Sequence, residues 1–208
     1  MTQVKICGLR SQAAVQTAVE AGADFIGFVF ADSKRRVTKS EAAELATAIP
    51  DHVKKVGVFV NEDIATIHDI AETVGLDYIQ LHGDETPAFC ERLNYPVIKA
   101  FEVHNQQDLE RLADYDCAYY LLDSPAGRYR GGSGQVFDWS LTTSYDFLEK
   151  KILLAGGLRA DNVSEAIKEV QPAGVDVSSG VETDGTKDLT KIKAFIQAVR
   201  KGDDNRGI

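Results

Sequence analysis

Two segments near the end of the chain have residue types that could bind a phosphate group. Gly174–Glu182 (GVDVSSGVE) reads as a short apolar strand that breaks into small residues, and Ile152–Gly157 (ILLAGG) has the same design. A strand that ends in small residues and runs into a helix leaves bare backbone N–H groups, and these favour an anion. Two adjacent strand ends of this kind, the last two in the chain, match the phosphate site of a (β/α)8 barrel.

Cys7 and Asp123 could supply a base and an acid at the mouth of such a barrel. Cys7 follows Lys5 at strand spacing, so both side chains should point to the barrel axis, and the next helix N-terminus would favour the Cys7 thiolate. Asp123 ends the apolar strand YYLLD, where partial desolvation can keep a carboxyl protonated as a general acid. Each residue alone has a structural alternative, a small buried hydrophobe for Cys7 and a loop cap for Asp123. The pair, on strands one and six, is more specific.

Three further side chains complete the candidate site. Arg35, in the segment ADSKRR, could hold a carboxylate through its guanidinium fork. His82 and Asp176 should lie at or near strand ends and face the axis, and we interpret both as substrate contacts. Asp176 could instead support the catalytic groups or only anchor a hydrogen bond. The histidines lack metal-ligand spacing, so no metal site is predicted.

Eight short aliphatic runs predict the strands that position these residues. They are Val4–Cys7, Phe25–Phe30, Lys55–Val60, Tyr78–Leu81, Val97–Phe101, Tyr119–Asp123, Ile152–Ala155 and Gly174–Val177. Apolar strands that alternate with helices indicate a parallel sheet covered by helices. Eight units of about 26 residues fit a closed barrel better than an open doubly wound sheet, which would normally stop at five or six strands.

Amphipathic segments between the strands predict the helices. They are Gln12–Glu20, Ser40–Ala48, Asp63–Val74, Pro87–Leu93, Gln106–Asp114, Asp161–Val170 and Leu189–Lys201, with a weaker sixth helix within Trp139–Lys150. The predicted caps are Ser11, Ser40, Asn61, Thr86, Asn105 and Asp188. No linker divides the chain, so residues 1–208 are interpreted as one domain. The long irregular stretch Ser124–Gly134 is a candidate lid, and the tail Lys201–Ile208 is expected to fray.

The composition excludes several classes of protein. With 208 residues, 44% hydrophobic and 26% charged, the chain suits one soluble globular domain. A net charge of −9 argues against binding to nucleic acid or to an anionic membrane surface. Three cysteines without CxxC spacing predict a reducing, cytoplasmic compartment, with Cys90 and Cys117 structural. No apolar run approaches the roughly 20 residues of a membrane helix, and no signal peptide is evident.

Taken together, the motifs resemble those of the phosphoribosylanthranilate isomerases of tryptophan biosynthesis over nearly the whole chain. They are KICG (5–8), GFVF (27–30), SKR (33–35), VGVFVN (56–61), QLHG (80–83), LD (122–123), GGSG (131–134), FDW (137–139), AGG (155–157) and DVSSGVE (176–182). The resemblance implies a single (β/α)8 barrel, no cofactor, and a monomer or homodimer. It also implies an Amadori rearrangement of N-(5-phosphoribosyl)anthranilate to 1-(2-carboxyphenylamino)-1-deoxyribulose 5-phosphate.

The resemblance implies a role for each candidate residue. Asp123 would be the general acid that protonates the furanose ring oxygen and opens the ring to a Schiff base. Cys7 would be the general base that removes the proton from C2. Arg35 would hold the anthranilate carboxylate; because the linker before Ser33 is a residue shorter than the family pattern, Arg36 is the alternative. The phosphate would be bound, largely through backbone amides, by Gly156, Gly157, Ser179 and Gly180.

Three alternative functions stay open from the sequence. The sister isomerase of histidine biosynthesis performs the same rearrangement, but it would have a carboxylate where this chain has Cys7. A pentose-phosphate epimerase would need metal-ligating histidines and carboxylates at strand ends. A catalytically inactive barrel, kept as a ligand sensor, would have no need for both Cys7 and Asp123.

Overall fold

Eight parallel strands close into a barrel, as the alternation of apolar runs and helices predicted. The structure is a computed structural model that describes residues 1–124, 138–143, 145, 147 and 149–204. Each strand pairs with the next in sequence, and the first pairs with the eighth to close the sheet. The strands are β1 (Gln3–Cys7), β2 (Phe25–Val29), β3 (Lys54–Phe59), β4 (Tyr78–Leu81), β5 (Val97–Glu102), β6 (Tyr119–Asp123), β7 (Ile152–Leu154) and β8 (Gly174–Val177). Every predicted strand is present, with ends within one residue of those predicted.

The helices surround the barrel, and three of them are single turns. They are α1 (Gln12–Ala21), α2 (Lys39–Ala46), α3 (Ile64–Val74), α4 (Pro87–Cys90), α5 (Gln106–Glu110), α6 (Ser140–Thr143), α7 (Val163–Val170) and α8 (Leu189–Asp204). The weakly predicted sixth helix is thus reduced to four residues. The chain was expected to fray from Lys201 onward, but α8 continues to Asp204, so this prediction is wrong for residues 201–204. Asp203 is buried against the N-terminus and accepts a hydrogen bond from the Thr2 N–H at 2.9 Å.

Most predicted helix caps are confirmed, and two are wrong. The caps at which the side chain accepts the expected backbone N–H groups are Ser11, Thr86, Asn105 and Asp188. Ser40 lies inside the first turn of α2, which Thr38 caps in a capping box with Glu41. α3 is capped by Asp63, because Asn61 has a φ of 51° and belongs to the preceding turn.

Strand residues alternate between an outer and an inner layer, as the period of two requires. Val4 and Ile6 belong to the apolar cluster between barrel and helices, whereas Lys5 and Cys7 point inward. The inner layer is apolar at the N-terminal end, where the ring of Phe25 contacts two tyrosine rings edge-on at 5.6 and 5.7 Å. The polar groups of the barrel interior are therefore concentrated towards the C-terminal ends of the strands.

Two further sequence predictions concern a candidate lid and the lack of a membrane helix. The candidate lid Ser124–Gly134 lies outside the described residues, except for Ser124. Within the part of the chain that the structure describes, no helix is both long and apolar enough to cross a membrane.

Candidate active site

A buried ion pair lies inside the barrel next to Cys7. The register of β1 and β8 pairs Lys5 with Asp176, and Lys5 Nζ lies 3.0 Å from Asp176 Oδ1. Burial alone would lower the pKa of Lys5, but the charges of Asp176 and Cys7 outweigh it and that pKa is raised. Lys5 is therefore a charged ammonium within the barrel, shared between a carboxylate and a thiol.

Cys7 is enclosed rather than exposed at the end of β1. A Cβ atom at Gly27 would lie 2.9 Å from its sulfur, so the glycine on β2 leaves the space that the thiol fills. Burial raises the pKa of Cys7 and Asp176 raises it further, while Lys5 and Lys187 lower it; the net pKa is raised. The expectation that this site favours the thiolate is thus wrong, because desolvation outweighs the neighbouring cations.

Asp123 lies at the end of β6 and contacts His82 from β4. One carboxylate oxygen accepts from the Ser124 N–H at 2.8 Å, and the other lies 3.4 Å from His82 Nε2. The amide nitrogen of Gln80 lies 3.2 Å from His82 Nδ1, and an amide nitrogen can only donate. His82 therefore lies between Gln80 and Asp123, and its Nε2 has no hydrogen-bond partner among the described residues.

Arg35 is held by Glu182, which lies in the segment after β8. Arg35 Nε donates to one carboxylate oxygen at 2.6 Å and a terminal nitrogen donates to the other at 3.0 Å. Its stem lies over Gly8, where a Cβ atom would come within 2.6 Å of the arginine Cδ. Arg35 is 8% exposed, whereas Arg36 lies at the surface. The structure thus separates two arginines that the sequence left as alternatives.

A two-stranded hairpin places Lys187 opposite Glu182. β9 (Glu182–Thr183) and β10 (Thr186–Lys187) are joined by Asp184 and Gly185, which both have positive φ, as an Asp-Gly turn requires. Lys187 Nζ donates to Glu182 at 2.8 Å and to the Ser178 carbonyl at 2.7 Å. Burial alone would raise the pKa of Glu182, but Arg35 and Lys187 lower it to about 2. This carboxylate is therefore ionised across the physiological range.

A second cluster is formed by the two glycine-rich strand ends. Gly156 and Gly157 both have positive φ, and a Cβ atom at Gly180 would overlap the carbonyl oxygen of Leu158. The cavity between these segments is lined by Asp123, Ala155, Gly156, Gly157, Leu158, Asp176, Val177, Ser178, Ser179 and Gly180. The structure therefore brings all four predicted phosphate residues to one cavity, next to two of the predicted carboxylates.

The local chain differs from the expected strand-to-helix junction in one respect. Ser179–Val181 forms a single 3-10 turn followed by the hairpin, and α8 begins only at Leu189. Among the described residues, no acceptor bonds the backbone N–H groups of Gly156 or Gly157. Gly156 and Gly157 therefore line the cavity, even though no long helix begins there.

A second cavity, of about 240 Å³, lies beside Arg35. It is lined by Gly8, Arg10, Ser11, Arg35, Glu182, Gly185, Thr186 and Lys187. The two cavities are linked through Ser178, which lines the first and whose carbonyl accepts from Lys187 of the second at 2.7 Å. The Ser178 hydroxyl donates to the Cys7 carbonyl at 3.2 Å, so the end of β1 lies next to this link.

Glu182 and Lys187 belong to the site but were not predicted as parts of it. A signal was present, since Asp-Gly flanked by short β-compatible segments is typical of a hairpin, and its register pairs opposite charges. Within the described residues, no three His, Cys, Asp or Glu side chains are grouped so that they could hold a metal ion.

A closed parallel barrel with a thiol, carboxylates and cations at the C-terminal ends of its strands defines an enzyme of the (β/α)8-barrel class. Residues 4–198 match the model of the family described as N-(5'phosphoribosyl)anthranilate (PRA) isomerase. The chain therefore belongs to this family, whose members are isomerases of tryptophan biosynthesis.

Individual relatives agree with the family assignment. The N-(5'-phosphoribosyl)anthranilate isomerase of Listeria welshimeri is 52% identical over 197 residues, which cover 95% of this chain and 98% of that protein. A crystal structure of phosphoribosyl anthranilate isomerase in complex with reduced 1-(o-carboxyphenylamino)-1-deoxyribulose 5-phosphate has a TM-score of 0.86 and 39% identity, covering 97% and 100% of the two chains. Monomers made from the dimeric Thermotoga maritima enzyme have a TM-score of 0.87 and 40% identity, with the same coverage.

Proposed function

We propose that this chain catalyses the Amadori rearrangement of N-(5-phosphoribosyl)anthranilate, with Asp123 as general acid and Cys7 as general base. The observation that carries the proposal is the position of Ser178, which connects the two cavities through Lys187 and bonds the end of β1 at the Cys7 carbonyl. The substrate has a phosphate at one end and a carboxylate at the other. Two anchors on opposite sides of the sugar would hold its reacting carbons in place between the acid and the base.

In this proposal the phosphate binds at Gly156, Gly157, Ser179 and Gly180. Gly156 and Gly157 line this cavity without a described acceptor for their N–H groups, and Gly180 has no room for a Cβ atom. Both features support this placement, because a phosphate needs close approach to the backbone. Asp176 would support Lys5 and Cys7 rather than contact the anion, since two negative groups repel each other. His82 would face the sugar beside Asp123.

The first chemical step would open the ribose ring. Asp123 gives its proton to the ring oxygen, the C1–O bond breaks, and the nitrogen lone pair forms the C1–N double bond of a protonated Schiff base. The His82 ring lies beside the same carboxyl, with Nε2 at 3.4 Å, and would donate to the carboxylate left behind. A protonated nitrogen then draws electrons from C2, which makes the C2 proton acidic.

The second step would remove that proton. The Cys7 thiolate takes the C2 proton, the C–H electrons form a C1–C2 double bond, and the nitrogen becomes neutral in an enolamine. Tautomerisation to the ketone gives the product. Because the pKa of Cys7 is raised by burial, only the thiolate fraction of the protein can perform this step, and Lys5 and Lys187 both favour that fraction.

Arg35 would hold the anthranilate carboxylate in the larger cavity. Its position in the wall of that cavity supports this role, as does the surface position of Arg36. We further infer that residues 1–208 form one domain without a cofactor, and that the protein is cytoplasmic and does not bind nucleic acid, in line with its charge of −9. It would be a monomer or a homodimer.

The test uses purified protein and freshly generated phosphoribosylanthranilate, followed through the loss of anthranilate-type fluorescence. Rapid loss with the wild type and none with Cys7→Ala would support both the reaction and the base. Loss at the same rate with both proteins would keep the reaction and remove Cys7 from its role. Absence of loss with the wild type would reject the proposed function.

A further inference from the structure

The Glu182 carboxylate occupies one side of the Arg35 guanidinium group. The guanidinium group has five N–H donors, and two of them reach Glu182. No other acceptor for the guanidinium is found among the described residues. The terminal nitrogens therefore retain donors that a second carboxylate could use.

We propose that Glu182 is a positioning residue that sets the specificity of Arg35 for the substrate's carboxylate, an inference that rests on the proposed function. A free arginine side chain samples many orientations, whereas a fork held bidentately by one carboxylate has a fixed plane. The remaining edge of that plane is then available to a second carboxylate in the adjoining cavity. Glu182 would thus favour ligands that carry a carboxylate without contacting them.

Glu182 is also held by a second cation, Lys187. Lys187 Nζ donates to the Glu182 carboxylate at 2.8 Å and to the Ser178 carbonyl at 2.7 Å. It also donates to the Ser178 hydroxyl at 3.3 Å, so all three ammonium protons have acceptors. The cross-strand register of the hairpin places Lys187 directly opposite Glu182. One chain of charge-assisted hydrogen bonds therefore links Arg35, Glu182 and Lys187, and it runs from the larger cavity to the turn after β8.

The local charges explain why such a carboxylate does not repel the ligand. Three cations surround it: Arg35, Lys187 and the exposed Lys34, whose Nζ lies 3.6 Å from the second oxygen. The cluster keeps a net positive charge with Glu182 ionised. Loss of the Glu182 charge would increase general attraction for anions, while it would release Arg35 from its fixed plane. These two effects are separable by experiment.

The test compares two probes that differ only in the carboxylate. One is the reduced product analogue 1-(2-carboxyphenylamino)-1-deoxyribitol 5-phosphate, and the other is the same compound with phenyl in place of carboxyphenyl. The dissociation constant of the phenyl compound divided by that of the carboxyphenyl compound measures how strongly the protein recognises the carboxylate. The dissociation constant of inorganic phosphate measures the general attraction for anions. In Glu182→Gln the ratio should fall by about tenfold, the size of one lost charge-assisted interaction, while the affinity for inorganic phosphate should rise.

Two further variants control for indirect effects. Arg36→Ala changes the neighbouring, surface-exposed arginine and should leave the ratio unchanged. Lys187→Met removes the group that holds Glu182 and should lower the ratio in the same direction as Glu182→Gln, with a folded circular dichroism spectrum in each case.

The outcomes separate this inference from the proposed function. An unchanged ratio, or a ratio that rises because Glu182 competes with the ligand, in variants of an otherwise active enzyme would overturn the role of Glu182 alone. A wild-type protein that neither turns over phosphoribosylanthranilate nor distinguishes the two probes would reject both.

Discussion

Lys5 Nζ lies 3.0 Å from Asp176 Oδ1 in the interior of the barrel, and both side chains are at least nine-tenths buried. Two opposite charges enclosed in this way depend on each other, because either one left alone would be an uncompensated charge in a region of low dielectric. The pair also acts on Cys7 with opposite signs, since Lys5 lowers the pKa of the thiol and Asp176 raises it.

The variant Lys5→Met should be strongly destabilised, by roughly 3–5 kcal/mol, because Asp176 keeps its charge without a partner. The double variant Lys5→Met/Asp176→Asn should recover a large part of this loss. Urea unfolding of the wild type, both single variants and the double variant measures the coupling. Strictly additive losses would show that the two groups do not interact energetically.

The Cys7 thiol should titrate above the range of an ordinary cysteine, because burial raises its pKa. A raised pKa means that the thiolate appears only as the pH increases beyond that range. The ultraviolet difference spectrum between wild type and Cys7→Ser isolates this group from the other two thiols. Lys187→Met should shift the titration to still higher pH, since Lys187 lowers the pKa of Cys7; a shift to lower pH would contradict this electrostatic account.

Asp123→Asn should reduce kcat by about 10²- to 10⁴-fold, the usual contribution of a general acid, while the reduced product analogue still binds. The amide keeps the shape of the side chain but cannot give up a proton. Asp69→Asn, a surface aspartate on α3, is the matched control and should keep full activity. Unimpaired turnover in Asp123→Asn would assign the proton transfer to another group.

Glu182 should stabilise the protein at neutral pH and lose this effect in acid. Its pKa is about 2 in the folded protein and about 4.3 in an unfolded chain. A lowered folded pKa stabilises above the unfolded value, and the contribution fades as the pH falls from about 4 towards 2. The unfolding free energies of wild type and Glu182→Gln should therefore differ by about 2 kcal/mol near pH 7, after allowance for solvent screening. The two should converge near pH 2, and a constant difference would contradict the linkage.

Gly180→Ala should weaken the binding of inorganic phosphate, because the new methyl group would overlap the Leu158 carbonyl and force the two glycine-rich segments apart. Gly75→Ala is the control: its Cβ atom would meet nothing, but its φ is 68°, so it costs stability without touching the cavity. Calorimetric titration with phosphate compares the two. Equal phosphate affinity in Gly180→Ala and wild type would place the anion elsewhere.

Strand periodicity was sufficient to predict the barrel and the direction of Cys7, because a period of two fixes which side chains face inward. The sequence did not reveal that Arg35 would be buried and Arg36 exposed, since both lie in a loop whose path depends on the hairpin after β8. The prediction from sequence that Cys7 favours the thiolate was also wrong. That property depends on how completely neighbouring strands enclose the sulfur, which a local motif does not contain.

The Asp184-Gly185 turn makes the last hairpin unusually intolerant of changes in length. Loops at a barrel mouth commonly accept insertions while the scaffold stays intact. Here, one added residue would shift the pairing of β9 and β10 and turn Lys187 to the opposite face from Glu182. Within the family, divergence at this corner should therefore proceed by substitution rather than by insertion, and a homologue with a longer turn should hold its carboxylate-binding arginine by other means.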